Sequence, residues 1–285
     1  MKRPRSSLNR PLDPRYPTNR AVLIILPLAG LGAAGAALVR GGQGWHLLLA
    51  GLGGLGTAFV SWALAREVAP DDNPAAFVSM ALAYAAFLWI PHTSIMLVFL
   101  TITLARILNR TVGIPATPMD SVAIVLLVAW TMYSNRNPLP AVVAAVAFAL
   151  DATLEPGLRR QWIFAIVCLV LASLGALPIG VAWNPVVPVE SRWVLWVLAV
   201  IAAGFVVVIA GTRQLTSTGD LTGAPLSPAR VRAGMIVALM IATAGWIPLA
   251  NGLVQGAQVW AVLLGIIFGR VWPAPARTAR RHHHN

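Results

Sequence analysis

The chain has 285 residues, of which 58% are hydrophobic and 11% charged, and its net charge is +12. Soluble domains carry about 25% charged residues, so this composition excludes an ordinary water-soluble globule and describes a chain that partitions into lipid. The basic excess does not imply nucleic acid, because the arginines are distributed between apolar runs rather than gathered into one patch, and anionic headgroups account for them.

Residues 1–20 form a basic tail without a short apolar core and a cleavage site, which predicts a cytoplasmic tail rather than a removed signal peptide. Ten apolar segments follow, at 21–39, 45–65, 75–90, 92–108, 118–133, 139–154, 161–178, 193–212, 229–247 and 250–269. Each is bounded by Pro, Gly, Asn or charge. The expected organisation is one transmembrane domain over 21–270 and a second basic tail over 271–285. The histidines at 282–284 resemble the remnant of a tag and are set aside.

The expected fold class is all-α: a polytopic integral membrane bundle of about ten transmembrane helices. A span needs about 20 residues to cross ~30 Å of hydrocarbon. The third to sixth segments, at roughly 16 residues each, are short for that length. Eight spans with two re-entrant segments is therefore the second count. Either even number leaves both termini on one side.

The basic residues set the orientation. With the N-terminus inside, eighteen of the 21 Lys and Arg fall in inner segments, and only Arg40, Arg136 and Arg192 fall outside. Every connection is short enough for the positive-inside rule to apply. Both termini are thus expected in the cytoplasm, with the protein in a bacterial inner membrane. Trp45, Trp89, Trp183, Trp193, Trp246 and Trp272 stand at span ends, as an interfacial aromatic belt requires.

An internal echo follows the same frame. Leu64-Ala65-Arg66-Glu67-Val68 after the second segment matches Gly211-Thr212-Arg213-Gln214-Leu215 after the eighth. The next segment closes with Trp-Ile-Pro in both cases, at 89–91 and 246–248. The segments after those end in Ala105-Arg106 and Gly269-Arg270. Segments two to four therefore resemble segments eight to ten in parallel orientation, and such a duplication places a site between its halves.

No ionisable residue falls at mid-span, which argues against a carrier with a midplane carboxylate. The charges crowd the inner face instead. Arg66, Glu67, Arg106, Arg110, Asp120, Asp151, Glu155, Arg213 and Asp220 form the candidate polar cluster. Carboxylates among them suit Mg²⁺ and the arginines suit phosphate, although plain pairing of loop charges explains the same pattern.

Some members have local readings. Thr117-Pro118-Met119-Asp120 is a helix start, with Thr at the N-cap, Pro first in the helix and an acid suited to the dipole. Asp151 and Glu155 sit one turn apart at a helix C-terminus, where the dipole and their mutual repulsion are both unfavourable. An arginine is expected to neutralise them, with Arg106, Arg159 and Arg160 as candidates. Arg106 and Arg110 share a helix face at i and i+4. The loop 213–228 reads as a flexible linker; its Gly, Ser and Thr with Arg213, Arg230 and Arg232 could alternatively cradle an anion.

Other signals are structural. Gly51, Gly53 and Gly56 have dinucleotide-motif spacing but no preceding strand, and fit close helix packing. His46 and His92 fall near the outer face without a haem motif. Cys168 is a lone residue in an apolar run. No cofactor or metal is expected. The expected function is a non-catalytic, permease-like or accessory role in transport or in a membrane complex. The alternative is an enzyme acting on a lipid-phosphate at the cytoplasmic face. The expected partners are anionic membrane lipids and proteins of such a complex, with no nucleic acid.

Overall fold

The computed structural model describes residues 6–8, 10, 12–90, 92–176, 192–244 and 252–271. Among them are eleven helices and no strand. In order they are α1 (Pro17–Val39), α2 (Trp45–Val68), α3 (Asn73–Trp89), α4 (Ile95–Asn109), α5 (Pro118–Asn135) and α6 (Leu139–Thr153), then α7 (Gln161–Ala176), α8 (Arg192–Gly211), α9 (Pro228–Ala244), α10 (Gly252–Gln255) and α11 (Ala257–Val271). Each of the ten apolar segments holds a helix. The last is divided between the single turn of α10 and α11.

Among the described residues three helices are long and apolar enough to cross a membrane: α1, α2, and α8 from Trp193 onward. Of the four middle segments expected to be short, α3, α4 and α6 hold 17, 15 and 15 residues, while α5 is longer at 18. At 1.5 Å per residue a 15-residue helix is about 22 Å long.

Helix ends alternate between two poles. At one pole the C-terminal ends of α2, α4, α6, α8 and α11 meet the starts of α3, α5, α7 and α9, through contacts such as Glu67–Arg106, Asp151–Arg230 and Arg270–Asp72. At the other pole the Gln255 amide donates to the Asn135 carbonyl, and Gln258 donates to Thr93.

α4 runs through the centre, packed by α2, α5, α6, α9 and α11, and Leu100, Leu104, Ile107 and Leu108 on it are fully buried. α3 packs along α11, and α4 along α9. Both seams depend on small residues. A Cβ on Gly265 or Gly269 would overlap the backbone of Ser79 or Ala75, and one on Gly234 would overlap the Asn109 side chain. Gly51 and Gly54 likewise face Gly30 and Ala33 on α1, so the glycine run on α2 is a packing seam, as its apolar setting predicts.

The outer faces are apolar. Leu23, Ile24, Leu28 and Leu31 are exposed on α1, and Ile163, Ile166, Val170 and Leu174 on α7. On α5 the exposed residues Met119, Val122, Leu126, Trp130 and Tyr133 recur every three or four positions and form one stripe. Trp45, Trp89 and Trp193 are exposed at helix ends. Trp183, Trp246 and Trp272, the second Trp-Ile-Pro and the histidines at 282–284 lie outside the described residues.

Candidate functional site

The charged pole is organised around two buried carboxylates, one on each side of the end of α4. The first is Glu67, whose side chain is fully buried at the end of α2. Its Oε1 accepts from Arg106 Nε at 2.8 Å, and the Arg106 Nη2 lies 2.7 Å away. Arg10 Nη1 approaches the same oxygen at 3.5 Å. Thr111 Oγ1 donates to Oε2 at 2.6 Å, and Asn109 Nδ2 donates to the Glu67 carbonyl.

The second is Asp151, also fully buried, near the end of α6. Oδ1 accepts from Arg230 Nη1 at 2.8 Å and from Arg110 Nη2 at 3.0 Å. Oδ2 accepts from Gln161 Nε2 at 3.0 Å, and Ser121 donates in turn to the Gln161 Oε1. Arg230 also donates to the carbonyls of Leu108, Leu154, Glu155 and Pro156. One guanidinium in the first turn of α9 thereby satisfies open carbonyls at the ends of α4 and α6, which a helix terminus otherwise leaves unpaired.

Among the described residues the remaining acids other than Glu155 are engaged too. Thr117 and Asp120 form a capping box on α5: Thr117 Oγ1 accepts from the Asp120 N–H, and Asp120 accepts from the Thr117 N–H. Asp120 additionally receives Ser6 and Ser7 from the N-terminal tail. Asp72 pairs with Arg270 at 3.1 Å. Asp71 accepts from the Thr216 and Ser217 amides at 2.8 Å each and from the Ser217 hydroxyl at 2.6 Å. Burial raises the Asp71 pKa, but these hydrogen bonds outweigh it and hold the group below its ordinary value.

Asp220 pairs with Arg10 at 2.6 Å. Burial alone would lower the Arg10 pKa, but the charges of Glu67 and Asp220 more than offset this and raise it.

Several expectations are corrected by this geometry. Arg230 and Arg110, not Arg106, Arg159 or Arg160, neutralise Asp151. Glu155 is exposed and does not share that site; only its carbonyl takes part. Arg106 serves Glu67, and Arg160 donates to the Ala116 carbonyl. Arg106 and Arg110 do not share a face, because Arg110 is the C-cap of α4 with a φ of 53° and turns toward α6.

The loop 213–228 is not a free linker. Asp71 holds its 216–217 stretch, the Asp220 and Leu221 amides donate to the Thr111 and Val112 carbonyls, and Thr218 bridges Pro225. Gly113, with a φ of +94°, lies so close under Thr222 that a Cβ there would overlap the Thr222 side chain. Arg213 is exposed and makes no ion pair among the described residues.

Between this loop and the end of α2 lies a pocket of about 260 Å³, lined by Arg10, Arg66, Thr111, Ser217, Thr218 and Asp220 among others. Arg66 is the member of the expected cluster that lines it without a hydrogen bond or ion pair among the described residues.

Arg10 and Gln161 are the charged-pole residues that sequence reasoning did not single out, and Arg230 was named only as a flank of the anion cradle, not as the partner of Asp151. Arg230 carried a signal: a cation in a helix's first turn opposes the dipole and needs a compensating partner. Among the described residues no three His, Cys, Asp or Glu side chains group as a metal set. Comparisons with protein-family models, curated proteins and solved structures found no match.

Proposed function

We propose that the protein is a multi-pass inner-membrane protein with a non-catalytic role, permease-like or as an accessory subunit of a membrane complex, with both termini in the cytoplasm. The observation that carries this reading is the engagement of the two buried carboxylates, Glu67 and Asp151. All four side-chain oxygens of Glu67 and Asp151 already accept hydrogen bonds from the protein. Carboxylates held this way clamp helix ends together, whereas an enzyme working on a lipid-phosphate through Mg²⁺ needs carboxylate oxygens turned toward the metal.

Two further observations support the membrane and transport parts. The apolar stripes on α1, α5 and α7 suit lipid, and every described ion pair lies at one pole, the one on which the positive-inside count converges. The packing of α3 on α11 and of α4 on α9 is what exchanging the two proposed repeats requires, since that exchange turns one pair into the other. The reading has ten spans, in which the shorter helices are accommodated by burial of α4 and by local thinning of the bilayer.

Reporter fusions test the arrangement. Fusions at residues 42 and 136 are expected to read outside, and those at 70 and 158 inside. Reversal at any two positions refutes it. Purification in mild detergent then separates the two roles, because an accessory subunit co-elutes with stoichiometric partner proteins and a permease does not.

A further inference from the structure

We propose that the pocket between Arg10, Arg66 and the 216–218 stretch binds a phosphate group, with Arg66 as its principal charge partner. The argument begins with which donors are already committed. Arg10 is ion-paired with Asp220, its Nε 2.6 Å from Oδ2 and its Nη2 donating to Oδ1 at 3.0 Å. Thr111 is committed to Glu67 and Ser217 to Asp71. The Arg66 guanidinium and the Thr218 hydroxyl remain, with no hydrogen bond among the described residues.

Arg66 cannot turn to its neighbour Glu67, because residues i and i+1 of a helix do not face one another. It is half-buried beside a second guanidinium. The lining therefore holds two cations, Arg10 and Arg66, against one anion, Asp220. The two carboxylates whose charge reaches Arg66, Asp220 and Glu67, are already paired with Arg10 and Arg106, and an anion entering the pocket offsets the desolvation of Arg66 and the repulsion between the two guanidiniums.

The donor set selects the class of anion. A planar guanidinium with five N–H groups and an adjacent hydroxyl match the several acceptor oxygens of a phosphate. The volume of about 260 Å³ accommodates that group together with water or part of the molecule it is esterified to. The pocket is also built in advance, since Asp71 on one side and the Thr111 and Val112 carbonyls on the other tether the loop, which lowers the ordering cost of binding. This is the anion-cradle reading of the loop with different arginines. Arg66 and Arg10 line the pocket, while Arg213 and Arg232 are exposed and Arg230 is committed to Asp151.

The phosphate can come from a lipid headgroup or from a soluble phosphate compound. The full chain, purified in a non-ionic detergent, is titrated with inorganic phosphate at constant ionic strength and followed by ³¹P line broadening. In parallel, native mass spectrometry follows retention of phosphatidic acid against diacylglycerol.

The wild type is expected to bind phosphate saturably. Arg66→Gln weakens this by about tenfold or more, as loss of a charge-assisted hydrogen bond does. Thr218→Ala weakens it less, and Arg213→Gln leaves it unchanged. Because Arg66 holds no other group in place, Arg66→Gln keeps the wild-type melting temperature in the absence of phosphate. Retention of phosphatidic acid that depends on Arg66 and is competed by inorganic phosphate identifies a headgroup as the source. Phosphate binding without that retention identifies a soluble compound. Absence of both, or equal binding by Arg66→Gln and wild type, overturns the proposal. Such a failure leaves the membrane topology untouched, which the reporter fusions judge separately.

Discussion

Asp151 and Arg230 each sit against the sign of their own helix end. Asp151 lies at the C-terminal end of α6, where the macrodipole is negative, and Arg230 in the first turn of α9, where it is positive. Either alone would destabilise its helix. Placed 2.8 Å apart with almost no exposure, each supplies what the other's helix end lacks. Removing the charge of Asp151 leaves two buried guanidiniums without their carboxylate, and breaking a buried pair in this way costs about 3–5 kcal/mol. Asp151→Asn is therefore expected to lower stability by about 3 kcal/mol in thermal unfolding of the detergent-solubilised protein. Glu155→Gln, at an exposed position, is expected to leave the melting temperature unchanged. Mg²⁺ should affect neither the wild type nor Asp151→Asn. Stabilisation of the wild type alone by Mg²⁺ would instead assign the acid to a metal and revive the lipid-phosphate enzyme.

At the scale of helices, the seam between α3 and α11 is set by backbone approach. Gly265 faces the backbone of Ser79, which unlike a side-chain tip cannot turn aside. Gly265→Ala is expected to cost about 2 kcal/mol through overpacking. Gly35→Ala meets nothing within 4 Å inside α1 and is the clash-free control in the same unfolding measurement, expected to lose no stability because Ala is the better helix former. The helices themselves were legible from hydropathy, and the start of α5 from three residues, because capping chemistry is local: Thr117, Pro118 and Asp120 lie within one turn. The charged pole was legible only as a collection. Glu67 and Arg106 are 39 residues apart, Arg10 and Glu67 57, and Asp151 and Arg230 79. Which arginine reaches which acid depends on the order in which helices pack, and apolar periodicity does not encode that order. The C-cap at Arg110 illustrates the difficulty, since one residue with positive φ redirects a side chain that helical spacing had placed beside Arg106.

Across the whole molecule, the N-terminal tail closes the charged pole. Residues 6–8 and 10 touch four separated parts of the chain. Ser6 and Ser7 bind Asp120 at the start of α5, the Leu8 carbonyl accepts from Arg106 on α4, and Arg10 joins Glu67 of α2 to Asp220 of the long loop. These contacts span up to 210 residues, so the tail's loop-closure cost is met only once the bundle has assembled. Removal of residues 1–12 strips Asp220 of its ion pair and Asp120 of its two serines, yet leaves Arg106 on Glu67 and the full set of donors on Asp151. The truncated chain should therefore retain its helical content by circular dichroism. Its 213–228 loop should be cleaved faster than wild type by trypsin at Arg213, because the Arg10 anchor on Asp220 is gone while those from Asp71 and the Thr111 and Val112 carbonyls remain. Unchanged cleavage at Arg213 would mean that the backbone bonds from Asp220 and Leu221 to Thr111 and Val112 hold the loop without help from the tail. Loss of helical content would mean that the tail supports the bundle itself rather than its charged pole.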